Sequence, residues 1–390
     1  MSSKSLLSIS AACLLSAVSL NAQRIVYDIQ YEYYFDNREF DRGGNIYTES
    51  MTINASRLTS IVGFSVNSGE RTNHKLIFGA QNIRNMGESP SGKQYVFSKE
   101  EANPELSTKR SLQEFVYYYD FRSKLSKKST MEGVFGAFPR SKIDGEYSSA
   151  TLSDSLRFYD PTIEGMLLKY KTGSFFAELG LDWMGMAGFD RKERFEIFSY
   201  GKFDFSNTLS AGWTLNLYHF AGSVASPGVV DNVLLSPHLK FDFSKTSSFQ
   251  RLSFKFSALT AYQWDRRYDE RRHIFLNGEF ITDIRKYNLG IYNTLIGGGD
   301  LMPYYNSKYK ASDGSAEVWL KYANLLYRGE NYYRHRGFYN KLELYWQPRL
   351  ARFIDLRLSF DFHFADRLGY IGSRQRLSVI FTLNEILKKQ

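Results

Sequence analysis

The sequence predicts an all-β protein: a transmembrane, antiparallel, up-and-down β-barrel of about 16 strands. Three observations carry the expectation. Segments of about ten to fifteen residues alternate apolar and polar side chains with period two, so one face of each strand is greasy and the other polar. Aromatic residues gather near the ends of the apolar faces, as in Phe203 and Phe205, Phe241 and Phe243, or Tyr262 and Trp264. The connections alternate between tight turns and long polar loops.

Composition narrows the field. The 390 residues include 31 Phe, 28 Tyr and 5 Trp and are 43% hydrophobic, which excludes a disordered chain. The single cysteine, Cys13, excludes a disulfide framework and a thiolate metal site. Past residue 22 no stretch approaches the roughly 18 uninterrupted apolar residues of a membrane helix. Residues 1–22 read as a secretory signal peptide: Lys4 gives a positive start, Leu6 to Leu20 are apolar apart from serines, and Asn21-Ala22-Gln23 offers cleavage after Ala22. Cys13 lacks the upstream leucine of a lipoprotein anchor. Residues 23–390 then form the barrel with its surface loops, and loss of Lys4 takes the formal charge from +9 to +8.

The cleanest alternation lies at 354–364, where Ile354, Leu356, Leu358, Phe360, Phe362 and Phe364 oppose Asp355, Arg357, Ser359, Asp361 and His363. Candidate strands are 25–35, 52–66, 73–85, 111–122, 130–139, 161–171, 174–187, 192–205, 208–222, 229–244, 250–264, 272–284, 287–298, 314–327, 333–347, 353–364 and 373–383. That is one too many for an even-numbered barrel, so about 16 are expected, with 14 and 18 as neighbours and the surplus between 25 and 85 or between 287 and 327. These strands exceed the usual sandwich strand and suit a tilted membrane crossing. Parity places Leu215, Phe254, Phe280, Leu344, Leu358 and Phe362 toward lipid. It places Lys255, Glu279, Glu343, Arg357, Asp361 and His363 toward the lumen as candidate pore-lining residues.

Four strings, Tyr34-Phe35-Asp36-Asn37-Arg38-Glu39, Gly133 to Arg140, Asp154 to Asp160 and Gly299-Asp300-Leu301-Met302, resemble segments of outer-membrane, porin-like β-barrel proteins of Bacteroidetes-type bacteria. The resemblance implies a Gram-negative outer-membrane location and a barrel architecture, and it transfers no catalytic or ligand residue. One departure stands out. Such barrels commonly end on an aromatic residue, whereas Phe381 and Leu383 are followed by Asn384 to Gln390.

Motifs for chemistry are missing from the sequence: there is no phosphate loop and no His-Glu-x-x-His, and the six histidines are scattered. No metal, cofactor or enzymatic activity is expected. Basic residues are interleaved with acidic ones, as in Asp265 to Arg272, which argues against nucleic acid. Expected partners are outer-membrane lipid, lipopolysaccharide and small solutes, with a second copy or an accessory lipoprotein as further candidates. The function expected is a porin-like channel for passive passage of small hydrophilic solutes. The alternatives are a structural or interaction barrel that binds a partner through its loops and, behind it, a membrane hydrolase. The loop Ser141 to Asp160 is longer than a connector requires and carries Lys142, Asp144, Glu146, Tyr147, Asp154, Arg157 and Asp160. Two expectations compete for it: an inward fold that narrows the pore, or a solvated surface loop.

Overall fold

The computed structural model describes residues 24–40, 50–86, 111–186, 188, 193–223, 226–266, 270–301, 308–310, 317–319, 329–366 and 369–384. The leader expected over 1–22 lies outside the described residues. Sixteen long strands follow in chain order: β1 (Arg24–Phe40), β2 (Met51–Ser68), β3 (Thr72–Asn85), β4 (Ser111–Lys124), β5 (Thr130–Pro139), β6 (Thr162–Lys171), β7 (Phe175–Gly185), β8 (Arg194–Asp204), β9 (Leu209–Ser223), β10 (Ser226–Asp242), β11 (Arg251–Asp265), β12 (Glu270–Lys286), β13 (Leu289–Gly298), β14 (Gly337–Trp346), β15 (Ile354–Ala365) and β16 (Gly369–Thr382). Each pairs antiparallel with its chain neighbours. β1 pairs both with β2 and, from Gln30↔Thr382 to Phe40↔Gly372, with β16, so the sheet closes and has no open edge.

One of the expected strands is not a stave. β13 pairs directly with β14 from Leu289↔Trp346 to Gly298↔Gly337, which leaves no place for 314–327 between them. Within that segment only Glu317–Trp319 is described, and it pairs with Lys308–Lys310 in a separate two-stranded piece. Alternation is a local property, and a short strand paired in a separate sheet satisfies it as well as a stave does. β14 also starts later than expected, because Asn331–Arg334 winds into a 3-10 turn. β1 runs on to Phe40, beyond the expected 35.

Both chain ends of the barrel, Arg24 and Thr382, lie at the end closed by tight turns. The tightest is Tyr287-Asn288, where both residues take positive φ (53° and 66°), the two-residue turn whose twist matches its flanking strands. The longer β5–β6 connection joins strand ends on the opposite side.

Burial follows the parity of the sequence. On β15 Ser359, Asp361 and His363 are buried between exposed Phe360 and Phe364. Leu215, Phe280, Leu344 and Phe362 each stand between two buried inward neighbours, and Phe254 and Leu358 share the parity of exposed Phe256 and Phe360. The outer wall is apolar, with Ile25, Phe115 and Leu276 among its most exposed side chains. The inner wall is less uniformly polar than alternation suggests: Val116, Val134, Ile163 and Leu167 point inward and are buried.

Candidate functional site

What covers those inward apolar residues is the connection between β5 and β6. Pro139 ends β5, Arg140–Lys142 forms a 3-10 turn, and a six-residue helix, α1 (Asp154–Tyr159), precedes β6. Ser153 caps α1 by accepting a hydrogen bond from the Leu156 amide at 3.1 Å. Arg140 ties the neck together: its amide donates to the Pro161 carbonyl at 2.6 Å, its Nε to the Asp160 carbonyl at 2.7 Å and its Nη2 to Asp182 on β7 at 2.9 Å.

Between neck and helix the chain crosses the barrel interior. Ile143 and Tyr147 pack on the inward residues of β3 to β8, Ala150 joins a cluster with Tyr218, Val230, Leu234 and Leu259, and Phe158 and Tyr159 join one with Tyr34, Ala55 and Ile83. Ion pairs fix the same course. Lys142 donates to Asp120 at 2.8 Å, Lys169 to Asp144 at 2.5 Å, and Lys240 to both oxygens of Glu146 at 2.9 and 2.8 Å. Glu178 accepts from the amides of Asp144 and Gly145 at 3.0 and 2.9 Å. A Cβ on Gly145 would fall 2.5 Å from Glu178 Oε1 and 2.7 Å from Tyr200, so this approach requires glycine.

A second connection, between β13 and β14, meets the first inside the barrel. Ser148 Oγ and the Tyr333 hydroxyl both donate to Glu279 Oε1, at 2.7 and 2.5 Å, and Glu330 accepts from the Asp154 amide at 3.0 Å. Glu279 is thus a clasp for both connections.

The sequence-selected inward residues fall into two groups. Lys255 and Glu279 lie on the β11–β12 wall, Lys255 directly across from Lys240. Glu343, Arg357, Asp361 and His363 lie on β14 and β15, where Arg357 donates to Glu343 at 2.5 Å and Tyr339 shares a 2.8 Å hydrogen bond with His363 Nδ1. Of the loop residues, Lys142, Asp144, Glu146 and Asp154 reach opposing walls, Asp160 pairs with Arg140 at 3.0 Å, and the Tyr147 ring packs edge-on against Phe198. Arg157 is exposed, and its carbonyl accepts from Arg57 at 2.9 Å.

Asp154 touches the wall most densely, bonding to Arg376 and lying 3.6 Å from Arg374. Burial raises its carboxyl pKa, but Arg376, Lys341 and Arg374 outweigh that and hold it well below the usual range. Glu146 follows the same logic: Lys240 outweighs burial and lowers it. Burial pushes the Tyr147 phenol far up, with Glu178 adding to the effect.

Several contributors were not selected from the sequence. Arg374 and Arg376 share the inward parity opposite Leu377, Val379 and Phe381, so the same period would have found them. Asp36 and Arg38 on β1 were equally accessible. Ser148, Glu330 and Tyr333 carry no periodic signal, because their position depends on the path of irregular chain.

Two cavities are lined in part by the crossing, of about 650 Å³ beside Lys75, Lys169, Lys202 and Glu146, and about 250 Å³ beside Gln30, Arg57, Gln81 and Arg140. Ser257 sits in register with both His238 and Glu279, yet neither Ser257 Oγ nor His238 Nδ1 has a hydrogen-bond partner, so no nucleophile and base are joined there. Among the described residues no group of three or more His, Cys, Asp or Glu is placed to hold a metal.

No family model matches the sequence, and no curated protein matches it. Solved structures do. The chain is similar to Pseudomonas putida OprB (8% identity, TM-score 0.48, covering 92% of this chain and 94% of that one). It is also similar to the outer membrane protein opdK of Pseudomonas aeruginosa (10%, 0.46, 92% and 98%) and to Acinetobacter baumannii OccAB4 (10%, 0.44, 93% and 99%). The fold assignment rests on the strand pairing itself, to which these likenesses add nothing.

Proposed function

We propose that this protein is an outer-membrane porin-like channel that passes small hydrophilic solutes by a route narrowed by the 141–160 loop. The observation that carries the reading is the crossing: a closed barrel with an apolar outside is traversed inside by a charged loop, and two cavities are lined in part by that loop. Export through the 1–22 leader and contact of the outer wall with lipid and lipopolysaccharide belong to this reading. Lys142, Asp144, Glu146, Asp154 and Asp160, paired with Asp120, Lys169, Lys240, Arg376 and Arg140 of the wall and neck, set the field that a solute crosses.

The test is current through the purified barrel in a planar bilayer. Discrete, small, ion-selective steps support a narrow channel. The packing of Ala150, Tyr332 and Tyr333 into one apolar cluster favours a second reading, a closed barrel that serves as a platform for a partner. A folded barrel that never conducts would favour that second reading.

A further inference from the structure

An apolar concavity of about 870 Å³ is cut into the outer wall across β10 to β14, within the roughly 300–1,000 Å³ of small-molecule sites. Its floor is built of small residues: Ala258 on β11 pairs with Gly278 on β12, and Gly278 pairs with Gly297 on β13. A Cβ on Gly278 would meet nothing within 4 Å, so the space above the floor is open. Leu239, Phe256, Phe280, Leu295 and Phe338 form its sides, with the Phe256 and Phe280 ring centroids 4.6 Å apart.

The sheet is interrupted at the same spot. β10 and β11 pair at Leu235↔Thr260 and again at His238↔Ser257, but Ser236 and Pro237 between them have no ladder partner on β11. Pro237 brings no N–H to that ladder. Close by, the β11–β12 register shifts between Leu259 and Ala261. At this lapse His238, Ser257 and Glu279, which carry the inward parity, line the concavity together with the outward residues. Ser257 and Glu279 are only 8% and 3% exposed, and neither Ser257 Oγ nor Glu279 Oε2 has a hydrogen-bond partner.

These two atoms define the missing group. A plain hydrocarbon chain from the bilayer would fill the apolar part and leave both unsatisfied. As a carboxylate oxygen Glu279 Oε2 only accepts, so its partner must donate. A carboxylate or phosphate would face like charge there, and Lys240 and Lys255, across from each other two residues along the same inward face, disfavour a cation. An uncharged hydroxyl suits both atoms, donating to Glu279 and accepting from Ser257.

We infer that this concavity binds a monoacyl amphiphile with an uncharged, hydroxylated head, of the monoacylglycerol type, from the bilayer side. The acyl chain lies over Gly278, and the head enters the lapse between β10 and β11 to reach Ser257 and Glu279. The site faces lipid, so it goes beyond the channel reading and stands or falls without it.

The experiment uses the full-length barrel in phosphatidylcholine vesicles, with heat-resistant gel migration as the check of folding. Diazirine-bearing monooleoylglycerol is photolysed in these vesicles and its adducts are mapped by mass spectrometry. Saturable labelling of Phe256, Phe280 or Leu295 is expected. It should fall at least tenfold in Gly278→Leu, which fills the open space, and at least threefold in Ser257→Ala, which keeps the space and removes the hydroxyl. Unlabelled monooleoylglycerol should compete at least tenfold better than oleate or methyl oleate. Should Gly278→Leu not fold, Ala258→Leu fills the same floor and takes its place with the same expectation. Labelling spread evenly around the outer wall, or unchanged in the folded space-filling variant, overturns the site. Unchanged labelling in Ser257→Ala, or equal competition by oleate or methyl oleate, overturns the hydroxylated head.

Discussion

Replacing Arg140 with Met removes the guanidinium that roots the crossing loop. Its side chain is 4% exposed and its Nη2 lies 2.9 Å from Asp182 and 3.0 Å from Asp160. The two carboxylates respond differently. Asp160 is 35% exposed and rehydrates, so its share is about 1 kcal/mol or less. Asp182 is 4% exposed and keeps the Glu164 amide at 3.2 Å, but loss of the cation from a buried pair costs about 3–5 kcal/mol. Arg140→Met should therefore destabilise the barrel by about 3–5 kcal/mol, nearly all of it through Asp182. Adding Asp182→Leu removes the carboxylate that faced Arg140 and should recover at least half of that loss. Urea unfolding in lipid vesicles, followed by tryptophan fluorescence for the wild type, both single variants and the double variant, reads these values. A loss below about 1 kcal/mol, or a double variant as unstable as the two singles added, would refute the idea that this pair anchors the loop.

On the outer wall, Phe360→Arg places a charge at a lipid-facing position and should cost about 2–4 kcal/mol in vesicle refolding. Arg357→Leu should be tolerated better, because Glu343 keeps Arg376 at 3.0 Å; the reverse order would mean the register is inverted. Gly278→Ala should be neutral, since its Cβ meets nothing within 4 Å, whereas Gly79→Ala drives a Cβ to 2.1 Å from the Ser60 carbonyl and should cut the yield of heat-resistant barrel. Acid should leave the ion pairs of Asp154 with Arg376 and Arg374 formed. A depressed folded pKa means its stabilisation is complete above the ordinary aspartate value of about 3.9 and lost only as pH falls below it. Conductance should therefore stay constant between about pH 7 and pH 4.5; a step within that window would contradict this role of Asp154.

Strands were legible in the sequence because a stave's two faces meet different surroundings along its whole length. Asp361, His363 and Glu279 could be assigned inward from parity alone, and so could Arg374 and Arg376. The loop was legible only as excess length with mixed charge. Its course depends on contacts made across the barrel, such as Glu146 with Lys240 or Ser148 with Glu279, and no local pattern encodes a partner 94 or 131 residues away. The same limit explains the surplus strand at 314–327: its alternation is real, but membership in the barrel is decided by the pairing of β13 with β14.

The proposal that the crossing loop narrows a channel is tested most directly by deleting residues 144–154 and recording single-channel current beside the wild type. The deletion removes Asp144, Glu146, Ser148 and Asp154, and with them the ties to Lys169, Lys240, Glu279 and Arg376. Heat-resistant migration should persist, because every strand pairing of the barrel lies outside the deleted segment. Conductance should rise markedly and ion selectivity should change. Unchanged conductance and selectivity in a folded deletion variant would contradict the account and leave the loop without a part in the passage of solutes.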